Sequence, residues 1–107
     1  MLKFMVVIYR RPDLTFTQFR SHLENVHAPL VKALPGIRHY RQNYVCPDAK
    51  RKAPGWDAIV EVYFDSYEAM EAAWSAPQGA ASDADLPLFA DLTRTTWSVV
   101  EEVTVLP

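Results

Sequence analysis

Histidine changes charge nearest neutral pH, and its two ring nitrogens both take and give protons. His27 stands inside an apolar series, Phe16, Phe19, Leu23, His27, Leu30 and Leu34, whose members are 3, 4, 4, 3 and 4 residues apart. That is the period of one helix face. Counted at 3.6 residues per turn, His27 returns to within about 20° of the direction of Phe16, so its imidazole is expected to face the core. Pro29 offers no N–H to the carbonyl of Asn25, and the helix is expected to kink or open there. An inward imidazole beside an opened turn suits a general acid/base at a small cleft. A buried histidine that only hydrogen-bonds fits the same pattern. His22, about 140° round the helix, is expected to be solvated.

Aromatic side chains supply the candidate walls of that cleft. Tyr40, Tyr44 and Tyr63 fall on expected strands and Tyr67 and Trp74 on an expected helix, where phenol hydroxyls would donate hydrogen bonds or carry protons. Plain core packing is the better account of any single one of them. Asp57 and Glu61 share a strand face and need partners if buried: Arg38, Arg41, groups of a second copy, or His27 itself. The glycines Gly36, Gly55 and Gly79 are isolated, so neither GxGxxG nor a phosphate-cradling loop is present. HExxH, CxxC and GxSxG are absent as well. Cofactor-free acid/base chemistry, without a metal, or plain binding is what remains.

The elements that must position these residues follow from periodicity. Leu2 to Tyr9 is apolar on both sides, like a strand covered on both faces. Thr15 with Gln18 forms a capping box for the helix carrying His27, and Pro35-Gly36 stops it. Ile37 to Val45 reads as a second strand, and Pro47 to Gly55 as a surface loop holding Lys50, Arg51 and Lys52. Trp56 to Phe64 is the third strand, with Trp56, Ala58, Val60, Val62 and Phe64 on one side. Asp65 with Glu68 is expected to cap a helix whose inner face is Tyr67, Met70 and Trp74, broken at Pro77 and Gly79. A shorter helix is expected within Ala81 to Leu92, anchored by Phe89, before a last strand from Thr95 to Val105. The order predicts an α+β protein: a ferredoxin-like βαββαβ sandwich with an extra short helix and an antiparallel sheet. Helices on one face leave the other bare, and Ile59, Tyr63 and the two-sided first strand predict an apolar patch there. A homodimer would cover it.

The 107 residues are expected to form a single domain. Eleven basic against thirteen acidic residues, interspersed, argue against binding nucleic acid or an anionic membrane. One cysteine, Cys46, matches no disulfide or zinc pattern and fits a reducing, cytoplasmic setting. The N-terminal apolar run is too short and wrongly flanked for a signal peptide or membrane span.

Two segments carry a family likeness: Phe19 to Tyr40 (FRSHLENVHAPLVKALPGIRHY) and Trp56 to Ala76 (WDAIVEVYFDSYEAMEAAWSA). The first places His27 before Pro35, Gly36 and Tyr40; the second places Asp57, Glu61 and Phe64 on a strand before a helix. In this the chain resembles the EthD family of dimeric α/β-barrel proteins. It is similar over the same segments to the methylmuconolactone methylisomerases of that superfamily, which rearrange a lactone without a cofactor. The resemblance implies His27 as general acid/base and Tyr40 as the group that orients substrate. A further histidine of the methylisomerases has no counterpart in Pro47 to Gly55. Related small barrels perform cyclisation, dehydration, decarboxylation, cofactor-independent oxygenation or haem chemistry.

Taken together, the expectation is an enzyme of isomerase, lyase or cyclase type with no cofactor, acting on a small hydrophobic carbonyl-bearing or aromatic metabolite. His27 and Tyr40 are the expected catalytic pair; Phe19, Trp56, Asp57, Tyr63 and Trp74 are the expected substrate-binding residues. The alternatives are a non-catalytic accessory protein that holds a pathway intermediate, and a haem- or oxygen-dependent oxidoreductase with His27 as ligand.

Overall fold

The computed structural model describes residues 1–107. Strands β1 (Leu2–Ile8), β2 (His39–Tyr44), β3 (Ala58–Phe64) and β4 (Thr96–Glu101) form one sheet in the order β2-β3-β1-β4, every neighbouring pair antiparallel. Between β1 and β2 run α1 (Phe16–His22), a π-helical turn (Leu23–His27) and α2 (Ala28–Lys32). From β3 to β4 run α3 (Tyr67–Ser75), α4 (Pro77–Asp85) and a 3-10 turn (Leu86–Leu88). This is the expected ferredoxin-like sandwich.

Register decides which side chains meet the helices. Val6 lies opposite Val60 and Trp97, and Phe4 opposite Val62 and Val99. These residues therefore share a face, while Lys3, Met5, Val7, Ile59, Glu61 and Tyr63 share the other. Two apolar clusters fill the space under the helices. Val6, Ile8 and Val60 pack with Phe19, Leu23 and Phe89 in one; Val62 and Phe64 pack with Val31, Leu34, Met70 and Ala73 in the other. Phe4 and Tyr40 pack against both clusters, and so mark the seam between them.

The helix ends show where local chemistry decided the structure. Thr15 and Gln18 make the reciprocal capping box, at 2.9 and 3.1 Å. Ser66, not Asp65, caps α3, accepting from the Ala69 N–H at 3.1 Å; Asp65 turns to Arg38 instead. Pro77 opens α4 rather than ending a helix, because the first helical position has no use for its missing N–H. The short helix expected from Ala81 onward is the end of α4 and the 3-10 turn. Inward residues of α3 are Met70 and Ala73, with Trp74 half-buried, whereas Tyr67 at its first position is exposed. β4 stops at Glu101, short of Val105, where it lies opposite Leu2, the first residue of β1.

The bare sheet face is mixed rather than uniformly apolar. Met5, Val7 and Ile59 are half-buried there, but Lys3 sits beside them with its Nζ 2.7 Å from Glu61 and 2.9 Å from Glu102. Two carboxylates hold that ammonium charged, raising its pKa well above the ordinary 10.5, chiefly through the Glu61 hydrogen bond.

α4 owes its position to Gly79, where an added Cβ would collide with the backbone of Trp74. Gly79→Ala is therefore expected to lower stability by about 1–3 kcal/mol, as overpacking does. A urea midpoint unchanged by the substitution would show the α3–α4 junction to be slack.

Candidate active site

The helix does open where Pro29 was expected to disturb it. The backbone N–H of Ala28 reaches the carbonyl of Leu23, five residues back, so the turn holds one residue more than an α-helical turn. That extra residue rotates everything after it. His22 and His27, which an α-helix would point about 140° apart, converge on one carboxylate. His27 Nδ1 lies 2.9 Å from Asp85 Oδ2, and His22 Nε2 lies 3.0 Å from both Asp85 oxygens. His22 is thus a partner of the site and not a solvated surface residue.

α4 brings Asp85 to them. Its buried stripe is Gly79, Ser82 and Asp85, followed in the chain by the fully buried Phe89. The Phe89 ring packs on both imidazoles, with centroids 4.8 Å from His22 and 4.9 Å from His27. Its backbone is tied to the end of β1: Arg11 N–H donates to the Phe89 carbonyl at 2.9 Å, and Asp91 N–H to the Tyr9 carbonyl at 2.7 Å.

A cavity of about 220 Å³ opens at the seam between the two core clusters, lined mainly by apolar side chains of β1, β3 and α2 with His27, Tyr40, Trp74, Ser82 and Trp97. It lies just below the roughly 300–1,000 Å³ of drug-sized ligand sites and suits a small molecule. Because a carboxylate only accepts, the His27 Nδ1 facing Asp85 carries the proton. Nε2 then holds the lone pair and has no protein partner. Burial pushes His27 below its ordinary 6.5, with the Asp85 bond opposing, so the ring is neutral at pH 7.

Tyr40 is prepared in the opposite sense. The Gln42 amide donates to the Tyr40 hydroxyl oxygen at 2.7 Å and to the Leu23 carbonyl at 3.1 Å. The Gln42 carbonyl in turn accepts from the Tyr44 hydroxyl at 2.8 Å. With its amide fixed by both ends, Gln42 leaves the Tyr40 O–H proton free to be donated elsewhere. Burial raises the Tyr40 pKa above 10.0, which keeps that proton in place. Trp74 adds a buried indole N–H with no acceptor.

His27, Tyr40 and Trp74 are the expected site residues that the fold brings together. The other four lie elsewhere. Phe19 is wholly buried in the neighbouring core cluster. Tyr63 is on the bare sheet face, its hydroxyl donating to Glu102 at 3.0 Å. Asp57 accepts from the Arg10 N–H at 2.8 Å and clamps the end of β1. Trp56 precedes β3 and is not part of the cavity lining. Asp85, rather than Asp57 or Glu61, orients His27, a partner that periodicity around the histidine does not name. The available signal was its i+3 spacing from Ser82 and i+6 spacing from Gly79, a buried stripe of small and polar residues. No group of three or more histidine, cysteine or carboxylate side chains is arranged to hold a metal ion, and no helix is long and apolar enough to cross a membrane.

The fold and site define an α+β sandwich protein with a histidine–carboxylate pair opening on an apolar cavity. Residues 11–93 match the EthD domain, and the chain belongs to the EthD family. A crystal structure of an EthD family protein from Bacillus halodurans superposes with a TM-score of 0.80 at 26% identity, covering 96% of this chain and 100% of that one. An uncharacterized protein of the thcB-thcC intergenic region of Rhodococcus erythropolis is 27% identical over 96% of this chain and 97% of its own length. A dimeric protein of ferredoxin-like fold from Bacteroides fragilis (TM-score 0.68, 16% identity, 94% and 95% covered) shares the fold. So does SnoaB, a cofactor-independent oxygenase from Streptomyces nogalater (TM-score 0.70, 12% identity, 99% and 96% covered).

A lowered histidine pKa makes stability depend on pH. The unfolded chain takes up a proton near 6.5 that native His27 refuses, so the contribution is complete above about 6.5 and is lost as pH falls through the lower native value. Urea midpoints measured between about pH 7.5 and 5 are expected to fall, and His27→Leu is expected to flatten that fall. A slope that survives the substitution would assign it to other groups.

Proposed function

We propose that the chain is a cofactor-free acid/base enzyme, acting as one domain on a small hydrophobic carbonyl-bearing or aromatic metabolite. The observation that carries this reading is the pairing at one cavity of a neutral imidazole lone pair with a phenol proton that has no protein acceptor. His27 Nε2 takes a proton from the carbon next to a carbonyl. The electron pair moves to the carbonyl oxygen, where the Tyr40 O–H holds the enolate, with the Trp74 N–H available as a second donor. Return of the proton to a different carbon completes an isomerisation; loss of a β leaving group completes an elimination; attack by the enolate closes a ring. Asp85 stabilises the imidazolium between these steps. The apolar lining from β1 and β3 strengthens each polar contact by excluding water.

The cofactor-independent oxygenase among the fold relatives supports a second reading, in which dioxygen rather than a proton meets the carbanion. The first step is shared, and only the second reading consumes oxygen. For the unreactive accessory-protein alternative, a bound ligand would never exchange its proton.

The reading is tested without knowing the substrate by following deuterium wash-in beside the carbonyl of small unsaturated lactones and ketones in D2O. The protein is expected to accelerate wash-in, His27→Gln to reduce the acceleration about a hundredfold or more, and Tyr40→Phe about tenfold or more. Acceleration undiminished in His27→Gln would end this assignment.

The dimeric fold relative and the half-buried Met5, Val7 and Ile59 on the bare sheet face support a homodimer. Sedimentation equilibrium is expected to give twice the 12.2 kDa chain mass; a monomer at micromolar concentration would refute it.

A further inference from the structure

We propose that the cavity selects uncharged molecules and turns away those bearing a carboxylate, with Asp83 at its mouth setting the preference; this deepens the acid/base reading and rests on it. Of the residues that line the cavity, only Asp83 and Trp97 are exposed. The opening is therefore bordered by the last turn of α4 and by β4. No lysine or arginine lines the space behind it. Lys32, Arg38 and His39 belong to a separate surface groove that shares Tyr40 alone with the cavity. An anion that entered would meet a carboxylate at the mouth and no cation within.

Stability of the fold does not account for Asp83. It falls in the last turn of α4, where the helix dipole disfavours negative charge. It enters no ion pair, whereas Asp85, two residues on, is held by two histidines. Its charge is felt inside the cavity, since it favours the protonated form of the His27 ring. A carboxylate that costs the helix stability and acts on the cavity has its use there.

The chemistry makes the same demand. When a neutral substrate loses a proton from carbon to His27 Nε2, its electron pair moves to the carbonyl oxygen, and an enolate faces an imidazolium. The net charge of the cavity is unchanged. A substrate with a carboxylate enters as an unpaired anion among apolar walls, and the same step makes it a dianion. Both states are disfavoured at low dielectric, the more so beside Asp83. Size limits the choice further. A cavity of roughly 150 Å³ holds the six carbons of benzene, so 220 Å³ holds about nine non-hydrogen atoms on the same scale. An aryl ketone the size of acetophenone fills it, and a further substituent extends to the mouth.

The test compares para-nitroacetophenone with para-acetylbenzoate, whose nitro and carboxylate groups share a shape and differ by one negative charge. Binding is followed near neutral pH by NMR titration, through the indole N–H signals of 15N-labelled tryptophans. The neutral compound is expected to bind about tenfold or more tightly than the carboxylate. Asp83→Asn keeps the shape of an exposed side chain and removes its charge, and is expected to bring the two affinities within about threefold. Asp83→Lys is expected to favour the carboxylate. Equal affinities in the parent protein, a gap that survives Asp83→Asn, or binding of neither compound would overturn the proposal. If the gap is absent while deuterium wash-in into para-nitroacetophenone still depends on His27, the selection falls and the acid/base site stands. If the gap follows Asp83 while wash-in is undiminished in His27→Gln, the selection stands and the acid/base assignment falls.

Discussion

A carboxylate held away from water is tolerated only when its oxygens are fully used, and Asp85 is such a carboxylate. Two histidines satisfy it, and the surrounding structure is arranged so that they can. Gly79 lets α4 sit tightly against the end of α3, which carries Asp85 in over the sheet. The π turn swings His22 and His27 onto the same side. Phe89, tied by its backbone to the end of β1, supplies the apolar surface against which both rings lie flat or tilted. Remove any of these and a charge is left buried without its full set of partners. Breaking one partner of a buried charged pair costs about 3–5 kcal/mol, which is comparable to much of the stability of a small protein.

The other half of the cavity works by a different constraint, the direction of an amide. Gln42 has one donor end and one acceptor end, and the carbonyl of Leu23 accepts only a donor. Leu23 is itself the residue whose carbonyl takes the i+5 bond of the π turn. The same irregular turn therefore aims the imidazole and, through Gln42, decides which way the Tyr40 proton points. A base and an acid prepared in opposite senses face one small apolar space, where hydrogen bonds act at low dielectric.

Features that depend on near neighbours in the chain were legible. The apolar series through His27, the Thr15–Gln18 box and the strand parities of Val60, Val62 and Tyr63 all follow from spacing alone. Those that depend on a meeting of distant segments were not. Asp85 lies 58 residues from His27, and nothing near it in the sequence announces an imidazole. Parity separated Tyr63 and Asp57 from Val60 and Val62 but could not say which side the helices cover. His22 was misplaced because the angle was counted at 3.6 residues per turn through a turn that holds one residue more. Pro29 signalled an opening without specifying its form.

That extra residue gives the segment an unusual tolerance of length. Deleting Asn25 would let the turn close into regular α geometry, and His22 and His27 would then be four steps apart, about 40° round the helix and still on one face. Val31 and Leu34 would keep facing the core, because four α-helical steps and the five steps of the π turn bring the chain to nearly the same direction. The surface loop 47–55 takes changes of length for a different reason, having no packed face to keep. A one-residue gap between His22 and Pro29 in a relative of this chain is thus compatible with an intact site, whose two histidines are to be matched by direction and not by a fixed spacing.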